Sequence, residues 1–306
     1  MLTQRSQVAC EIEGTEGTAE TLEAADAFLV FNPQFTPSIE PHERNPARSS
    51  LSPHPSVFGM RSAKMSFDVE LVGGAAAGDA IHYSDAFKAC GVAETLVGGT
   101  SATYLPASSS IPSVTIAMYI DGKIYKMWGA RGTAKLALEA GKPGIISFEF
   151  TGADWSEVDG AMLSGVSYNT TLPPTFQNVS LTIDSYSALV SKLDIDLGNN
   201  VQLRPDANSE SGNKSAVITD RKPMMSFDPE NVLVATEDFL GNWRSGSEMA
   251  LAATLGSVAG NTIALSAPKV QYQAINMTDR NGISALEISA LLCLSSGDDE
   301  WQIQIT

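Results

Sequence analysis

Asp194 and Asp196 flank Ile195, and alternate residues of a strand project onto one face, so this pair presents two carboxylates side by side. Two such groups could begin a cation or sugar-nucleotide site. No histidine and no third acid stands near them, and the pair is read as a solvated strand face. His42, His54 and His82 are the only histidines; the first two sit among prolines, and no residue is spaced to orient any of them as a base or ligand. Cys10, Cys90 and Cys293 are odd in number and far apart, which suits neither a disulfide framework nor a zinc site, and they read as small hydrophobes. Phosphate-loop, H-E-x-x-H, C-x-x-C and G-x-S-x-G motifs are absent. A carboxylate pair for glycoside hydrolysis stays open, because only folding would bring such a pair together among 35 acids. Asn169-Thr-Thr171 and Asn178-Val-Ser180 fit a glycosylation pattern, but the opening MLTQRSQVACEIEG shows no secretory signal. No catalytic centre, metal or cofactor emerges.

The charge balance narrows the classes further. Nineteen basic residues against 35 acidic ones leave a formal charge of −16, the reverse of what gripping phosphates requires. Apolar residues make up 43%, ample for buried cores over 306 residues, about two domains by length. No stretch approaches 18 uninterrupted apolar residues, so no helical membrane span is expected. The composition reads as a soluble acidic chain of a reducing compartment.

The elements that must position any site are mostly strands. Ser113–Ile120 alternates, Asp121-Gly122 interrupts, and Lys123–Trp128 resumes; Asp-Gly between such runs predicts a tight hairpin. Thr133–Glu139, a turn at Gly141–Gly144, and Ile145–Phe150 complete a predicted antiparallel meander with Lys and Glu on one face. One short helix is expected within Asp79–Gly91, capped by Ser84, and another within Thr236–Arg244, capped by Thr236 and ended near Gly246. Trp128 and Trp243 sit where core or interface packing would use them. Residues 36–60, with five prolines, and residues 198–220 lack periodicity and read as long loops.

The chain also repeats itself. Arg61-Ser-Ala-Lys-Met-Ser-Phe-Asp68 returns as Arg221-Lys-Pro-Met-Met-Ser-Phe-Asp228, 160 positions on. Lys142-Pro-Gly-Ile145 returns as Arg280-Asn-Gly-Ile283, 138 positions on, so the second copy is 22 residues shorter between helix and meander. The predicted layout is an N-terminal arm (1–24), a first domain (25–152), a linker (153–182) and a second domain (183–306). Two like domains in one chain can fill neighbouring positions of a ring, so that three chains give six pseudo-equivalent places. Tandem domains also occur in monomeric binding proteins.

The segment EIEGTEGTAETLEAADAFLVFNPQFTP resembles the N-terminal arm of the major tail tube proteins of long, non-contractile-tailed bacteriophages. Further similar segments follow in the family's order: DAFKACGVAETL with SATYLPAS, SVTIAMYIDGKIYKMWGARGTAKLALEAGKPGIISFEFTG, LDIDLGNNVQLR, ITDRKP and SSGDDEWQIQI. Loop 36–60 departs from the pattern. The resemblance implies a non-enzymatic virion protein of α+β, mainly β, class. It would be a duplicated tail-tube domain, each copy a β-sandwich flanked by one short helix. Inner sheets would join into a β-barrel within a ring, and rings would stack into a conduit for DNA. Its partners would be further copies of itself, tape-measure, tail-tip and tail-terminator proteins, and double-stranded DNA in transit, with no membrane. Its place would be the virion tail, after synthesis in the bacterial cytoplasm. On this reading the lumen-lining acids are expected to be Asp68, Glu70, Glu139, Glu149, Asp194, Asp196, Asp228 and Glu287. Ring-stacking contacts are expected from Glu40, Glu43, Arg44, Arg48, Arg204, Asp206 and Lys214. An acidic wall would repel DNA and keep it mobile. The alternatives are a monomeric β-sandwich that binds carbohydrate or a receptor on a virion, and a hydrolase built on two of the carboxylates. The two long stretches carry only Phe58 as an aromatic, which disfavours sugar binding.

Overall fold

The computed structural model describes Leu2 and residues 4–306. The first half holds β1 (Ser6–Ile12), β2 (Ala27–Phe28), β3 (Phe31–His42), β4 (Val57–Glu70), helix α1 (Ser84–Lys88), β5 (Val92–Val97), β6 (Ser101–Pro106), β7 (Val114–Ile120), β8 (Lys123–Glu139), β9 (Ile145–Gly152) and β10 (Asp154–Asp159). The second holds β11 (Thr182–Ile183), β12 (Lys192–Asp196), β13 (Asn199–Pro205), β14 (Asn213–Arg221), β15 (Met224–Phe227), helix α2 (Phe239–Ser245), β16 (Glu248–Leu255), β17 (Ile263–Arg280), β18 (Ile283–Leu292) and β19 (Gln302–Ile305). The chain is mainly β, with two short α-helices among the described residues.

Alternation creates the layers. On β9, Ile146, Phe148 and Phe150 are buried while Ser147 and Glu149 face out; on β4, Met65, Phe67 and Val69 are buried beneath Lys64, Ser66, Asp68 and Glu70. The expected turn joins β7 to β8 through Asp121 (φ 36°) and Gly122 (φ 108°). Where two strand runs are expected after it, β8 is a single strand. Val114 lies opposite Ala130 but Ile116 opposite Met127, which marks a bulge around Gly129. Gly129 has φ 59°, and a Cβ there would stand 3.0 Å from that of Ala153, so only glycine fits the bend. Beyond the bend β8 leaves β7 and pairs with β9.

The long strands β8 and β17 thus serve two layers. One layer is an eight-strand antiparallel sheet in the order β3-β4-β9-β8-β12-β15-β18-β17. The halves meet inside it, where Lys192–Asp196 run against Lys135–Glu139. The facing layer is made of β2-β1-β7-β8-β10 and of β11-β16-β17-β19-β6-β5. Each half follows one pairing order: β1-β7-β8-β9-β4-β3 in the first, β11-β16-β17-β18-β15-β12 in the second. β10 is added at the start of β8, and β19 at the start of β17. No sheet among the described residues closes into a barrel within the single chain.

A continuous apolar core fills the space between layers. Phe67, Phe148 and Phe150 lie with centroids 5.4–5.8 Å apart. Phe87 of α1 reaches Phe148 at 6.0 Å and Trp301 at 6.1 Å, which ties the first half to the residue that leads into the last strand of the second.

Several expectations are corrected. The supposed loop 36–60 is strand at both ends, residues 36–42 in β3 and 57–60 in β4, and only its middle, 43–56, is the irregular loop expected there. Most of 198–220 is the β13–β14 hairpin. The outer part of the β3–β4 hairpin is exposed on both faces, and the covered face of β14 is lined by Asn213, Ser215 and Ala216, so no run of large apolar residues marks either. Pro33, Pro37 and Pro41 recur at every fourth position of β3, while Gln34, Thr36 and Ser38 lie opposite Ser66, Lys64 and Ser62. The expected linker begins with β10, which pairs with β8. Helix α1 starts at Ser84 without a side-chain cap; α2 is capped by Asp238, which accepts from Gly241 N, rather than by Thr236. Gly246 ends α2 as expected, with φ 69°.

Candidate functional site

Seven of the eight expected acids come together on the outward face of the eight-strand sheet. Asp68 and Glu70 stand on β4, Glu149 on β9, Glu139 on β8, Asp194 and Asp196 on β12, and Glu287 on β18, each alternating with buried neighbours. Pairing register aligns them into rows across the strands. Asp68 is opposite Ser147, Ser147 opposite Lys135, and Lys135 opposite Asp196. Ser147 Oγ donates to Asp68 Oδ1 at 2.6 Å, and Asn32 Nδ2 donates to its other oxygen at 3.1 Å.

Lysines, expected beside Glu on the meander face but absent from the expected lining residues, are interleaved with these acids. Lys64 Nζ lies 2.9 Å from Glu149, Lys192 Nζ 3.2 Å from Glu287, and Lys142, in the turn after β8, 2.7 Å from Glu139. With Lys135, four lysines face seven carboxylates, a surplus of three negative charges per chain. Glu70, Asp194 and Lys135 make no ion pair among the described residues. The missed signal was legible: Lys64, Lys135 and Lys192 occupy the same alternate positions as the acids.

Asp228 is different. It is 9% exposed and accepts from Ser191 N at 2.8 Å, Lys192 N at 2.7 Å and Ser191 Oγ. Arg280 Nη2 stands 3.0 Å from it. This carboxylate clamps the start of β12 to the end of β17 and takes no place on the open face.

The hairpin residues fall in two groups. Glu40 is exposed near the end of β3, and Glu43, Arg44 and Arg48 are exposed on the 43–56 tip, where Arg48 Nη1 is 3.4 Å from His54 Nδ1. Arg204, Asp206 and Lys214 belong to the β13–β14 hairpin, which packs on its own chain. Asp206 accepts from Asn208 N at 2.9 Å and so shapes the turn. Arg61 N donates to Ser211 O, and Asn213 Nδ2 donates to Arg61 O, both at 2.9 Å.

That hairpin holds the segment after β1. Glu16 accepts from Arg131 Nη1 at 2.8 Å and Ser215 Oγ at 2.9 Å, with Arg204 3.7 Å away. Burial opposes its charge, but the hydrogen bonds from Arg131 and Ser215 outweigh this and hold the carboxyl below its usual range. Glu13, 8% exposed, accepts from Ser113 Oγ and Gly129 N at 2.6 Å and from Gly17 N at 2.7 Å. No periodicity announces this anchor, since all its partners but Gly17 lie 100 positions or more away.

The functional feature is therefore a broad charged surface with edges and hairpins, and no group of three His, Cys, Asp or Glu able to hold a metal is present among the described residues. A family model described as phage tail tube protein matches residues 3–289. The chain belongs to the phage tail tube protein family. No curated protein matches it in a direct sequence comparison. A tail tube protein is a structural component of the virion tail, and surfaces carry such a role. The expected resemblance is thereby established over nearly the whole chain. Among the described residues, no helix is long and apolar enough to cross a membrane.

Proposed function

We propose that this tail tube protein closes into rings of three chains that stack into a DNA conduit, with the charged eight-strand face turned to the lumen. The observation that carries this reading is the continuity of that face. One sheet runs through both halves of the chain and presents seven carboxylates on one side, over a sandwich core on the other.

The halves are read as diverged copies because their pairing orders coincide. Met65 opposes Phe150 as Met225 opposes Ala290, which relates β4 to β15 by 160 positions and β9 to β18 by 140. The same registers place Trp155 of β10 in correspondence with Trp301, just before β19. By these registers the second copy is shorter than the first by 20 residues, 160 less 140, where the sequence offsets gave 22, and the shortfall corresponds to the β5–β6 hairpin, which follows α1 and has no counterpart after α2. Each copy contributes four strands to the shared layer. Six copies would form a barrel of roughly 24 strands; at about 4.8 Å spacing and 40° tilt its backbone diameter is about 48 Å. Inward side chains would leave about 35–40 Å, enough for a DNA duplex about 20 Å across. The lining would carry a surplus of about nine negative charges per ring, which disfavours adhesion of phosphates.

The β3–β4 hairpin is assigned to contacts between rings: its exposed tip mixes Glu43, Arg44 and Arg48, suited to salt-dependent pairing with a neighbour. Tape-measure, tail-tip and terminator proteins are the expected partners at the tube's interior and ends. The test is electron microscopy of the purified, concentrated chain, alone and with tail-tip proteins. Rings or hollow tubes support the proposal, and a strictly monomeric chain in both samples overturns it.

A further inference from the structure

The eight-strand sheet ends in two dissimilar edges. At one end, β17 pairs with β18 through Arg280, but on its other side β16 covers only Ile263–Gln271, so on that side residues 274–280 have no strand neighbour among the described residues. At the other end β3 pairs with β4 alone. The chain itself holds a worked example of how such edges join. In the first half β8 has the same surroundings as β17, and its corresponding edge is covered by β12, with Ile195 opposite Leu136 and Asp196 opposite Lys135.

From that seam, and resting on the ring reading above, we infer that β17 of one copy pairs antiparallel with β3 of the next in one register: Gln34 opposite Thr278, Phe35 opposite Met277, Thr36 opposite Asn276. The strand registers supply the mapping. β8 residues 133–139 correspond to β17 residues 274–280, and β12 residues 194–196 to β3 residues 34–36. The side-chain chemistry agrees on both faces. Toward the core, Ile195 and Leu136 are 7% and 3% exposed at the internal seam, whereas Met277 is 71% exposed on the lone chain, an apolar side chain awaiting a neighbour such as Phe35. Toward the open face, the new pairs are uncharged, so no repulsion opposes closure.

Main-chain donors explain why β3 needs this partner. At the internal seam Leu197 N donates to Ala134 O at 3.0 Å, so alternate residues 193, 195 and 197 bond across it. The matching positions of β3 are 33, 35 and 37, two of them proline. Their missing N–H groups leave the β3–β4 ladder intact but make the free edge rich in acceptors and poor in donors. Two copies of β3 cannot satisfy each other. β17 has no proline between residues 274 and 280 and offers the N–H groups of Ile275, Met277 and Asp279. A donor-poor edge meeting a donor-rich one gives a head-to-tail contact, the kind that closes rings, and blocks random edge pairing.

The experiment is disulfide trapping in assembled protein. Gln34→Cys with Thr278→Cys, in a Cys293→Ser background, places two thiols at a non-hydrogen-bonded pair, where Cα atoms about 4.5 Å apart suit a disulfide. The two edges lie seven strand spacings apart within one chain, about 33 Å, so any bond joins two chains. Mild oxidation of the assemblies is expected to give a covalent ladder that ends at the closed ring, and Thr36→Cys with Asn276→Cys should do the same. Gln34→Cys with Met277→Cys, one position out of register, should stay unlinked. Assemblies in which the in-register pairs fail to link, or the out-of-register pair links equally, overturn the register while leaving the ring reading standing. Absence of any assembly by the parent chain overturns both.

Discussion

Replacing Glu70 and Asp194 by lysine tests the electrostatic role of the sheet face. Neither side chain makes an ion pair among the described residues; Glu70 stands opposite Ile145, and Asp194 lies between Ala137 and Ser226. The cost in stability should stay within about 1 kcal/mol per site, since no buried partner is stranded. The face changes from seven acids and four lysines to five and six, reversing a surplus of three negative charges to one positive charge per chain. A three-chain ring gains six lysines; if four of them meet phosphates, DNA affinity acquires a salt slope near −0.9 per contact. That slope corresponds to about 150-fold weaker binding at 200 mM than at 50 mM salt. Particles carrying the variant should assemble with tubes of normal length. Triggered DNA release, followed with an intercalating dye, should slow strongly at 50 mM salt and recover at 200 mM. Release at the parental rate in low salt from particles with intact tubes would refute the reasoning.

Other outcomes follow from the same contacts. Glu16→Gln removes the charge that faces Arg131 and Arg204; at its one-third exposure the loss should be about 1–2 kcal/mol, with faster hydrogen exchange at Gly17 N. Replacing residues 43–56 by Asn-Gly shortens the β3–β4 hairpin to its paired base at His42 and Val57, and should leave folded rings that no longer stack, as seen by microscopy. His82 is held neutral by burial, its pKa pushed down to about 4 from 6.5. A depressed histidine contributes stability that is complete above pH 6.5 and lost as the pH falls toward 4. Stability should therefore drop by roughly 3 kcal/mol across that window, and His82→Phe should flatten the profile measured by urea denaturation. From about pH 4.5 downward, Glu16 and Glu94, whose carboxyls hydrogen bonds hold low despite burial, should add a further loss that is complete only once their lowered folded pKa values are passed.

Local signals with a single physical cause were legible in the sequence. The Asp121-Gly122 turn demands positive φ at both positions and appears as expected, and Gly246 stops α2 for the same reason. The alternation of Asp194-Ile-Asp196 places two carboxylates on an open face, where they remain solvated as read. Longer-range features were hidden. β8 looked like two strands because Gly129 bends it between layers, and bending leaves no apolar mark. The β3–β4 hairpin looked like a loop because its prolines face a free edge, where a missing donor costs the ladder nothing. Asp228 alternated like its neighbours, yet Ser191 and Arg280 close over it from distant positions. The lysines were not hidden: Lys64, Lys135 and Lys192 alternate in phase with the acids, and a lining drawn from net charge alone passed over them.

The central claim is that three chains supply six equivalent places around a lumen lined by the eight-strand face. Cryo-electron microscopy of tubes, resolved well enough to trace strands, measures this directly. The account predicts three chains per ring, a continuous inner barrel of roughly 24 strands, and Asp68, Glu70 and Asp194 pointing into the channel. Six chains per ring, or a lumen lined by the β1-β7-β10 layer with the charged face turned outward, would contradict it.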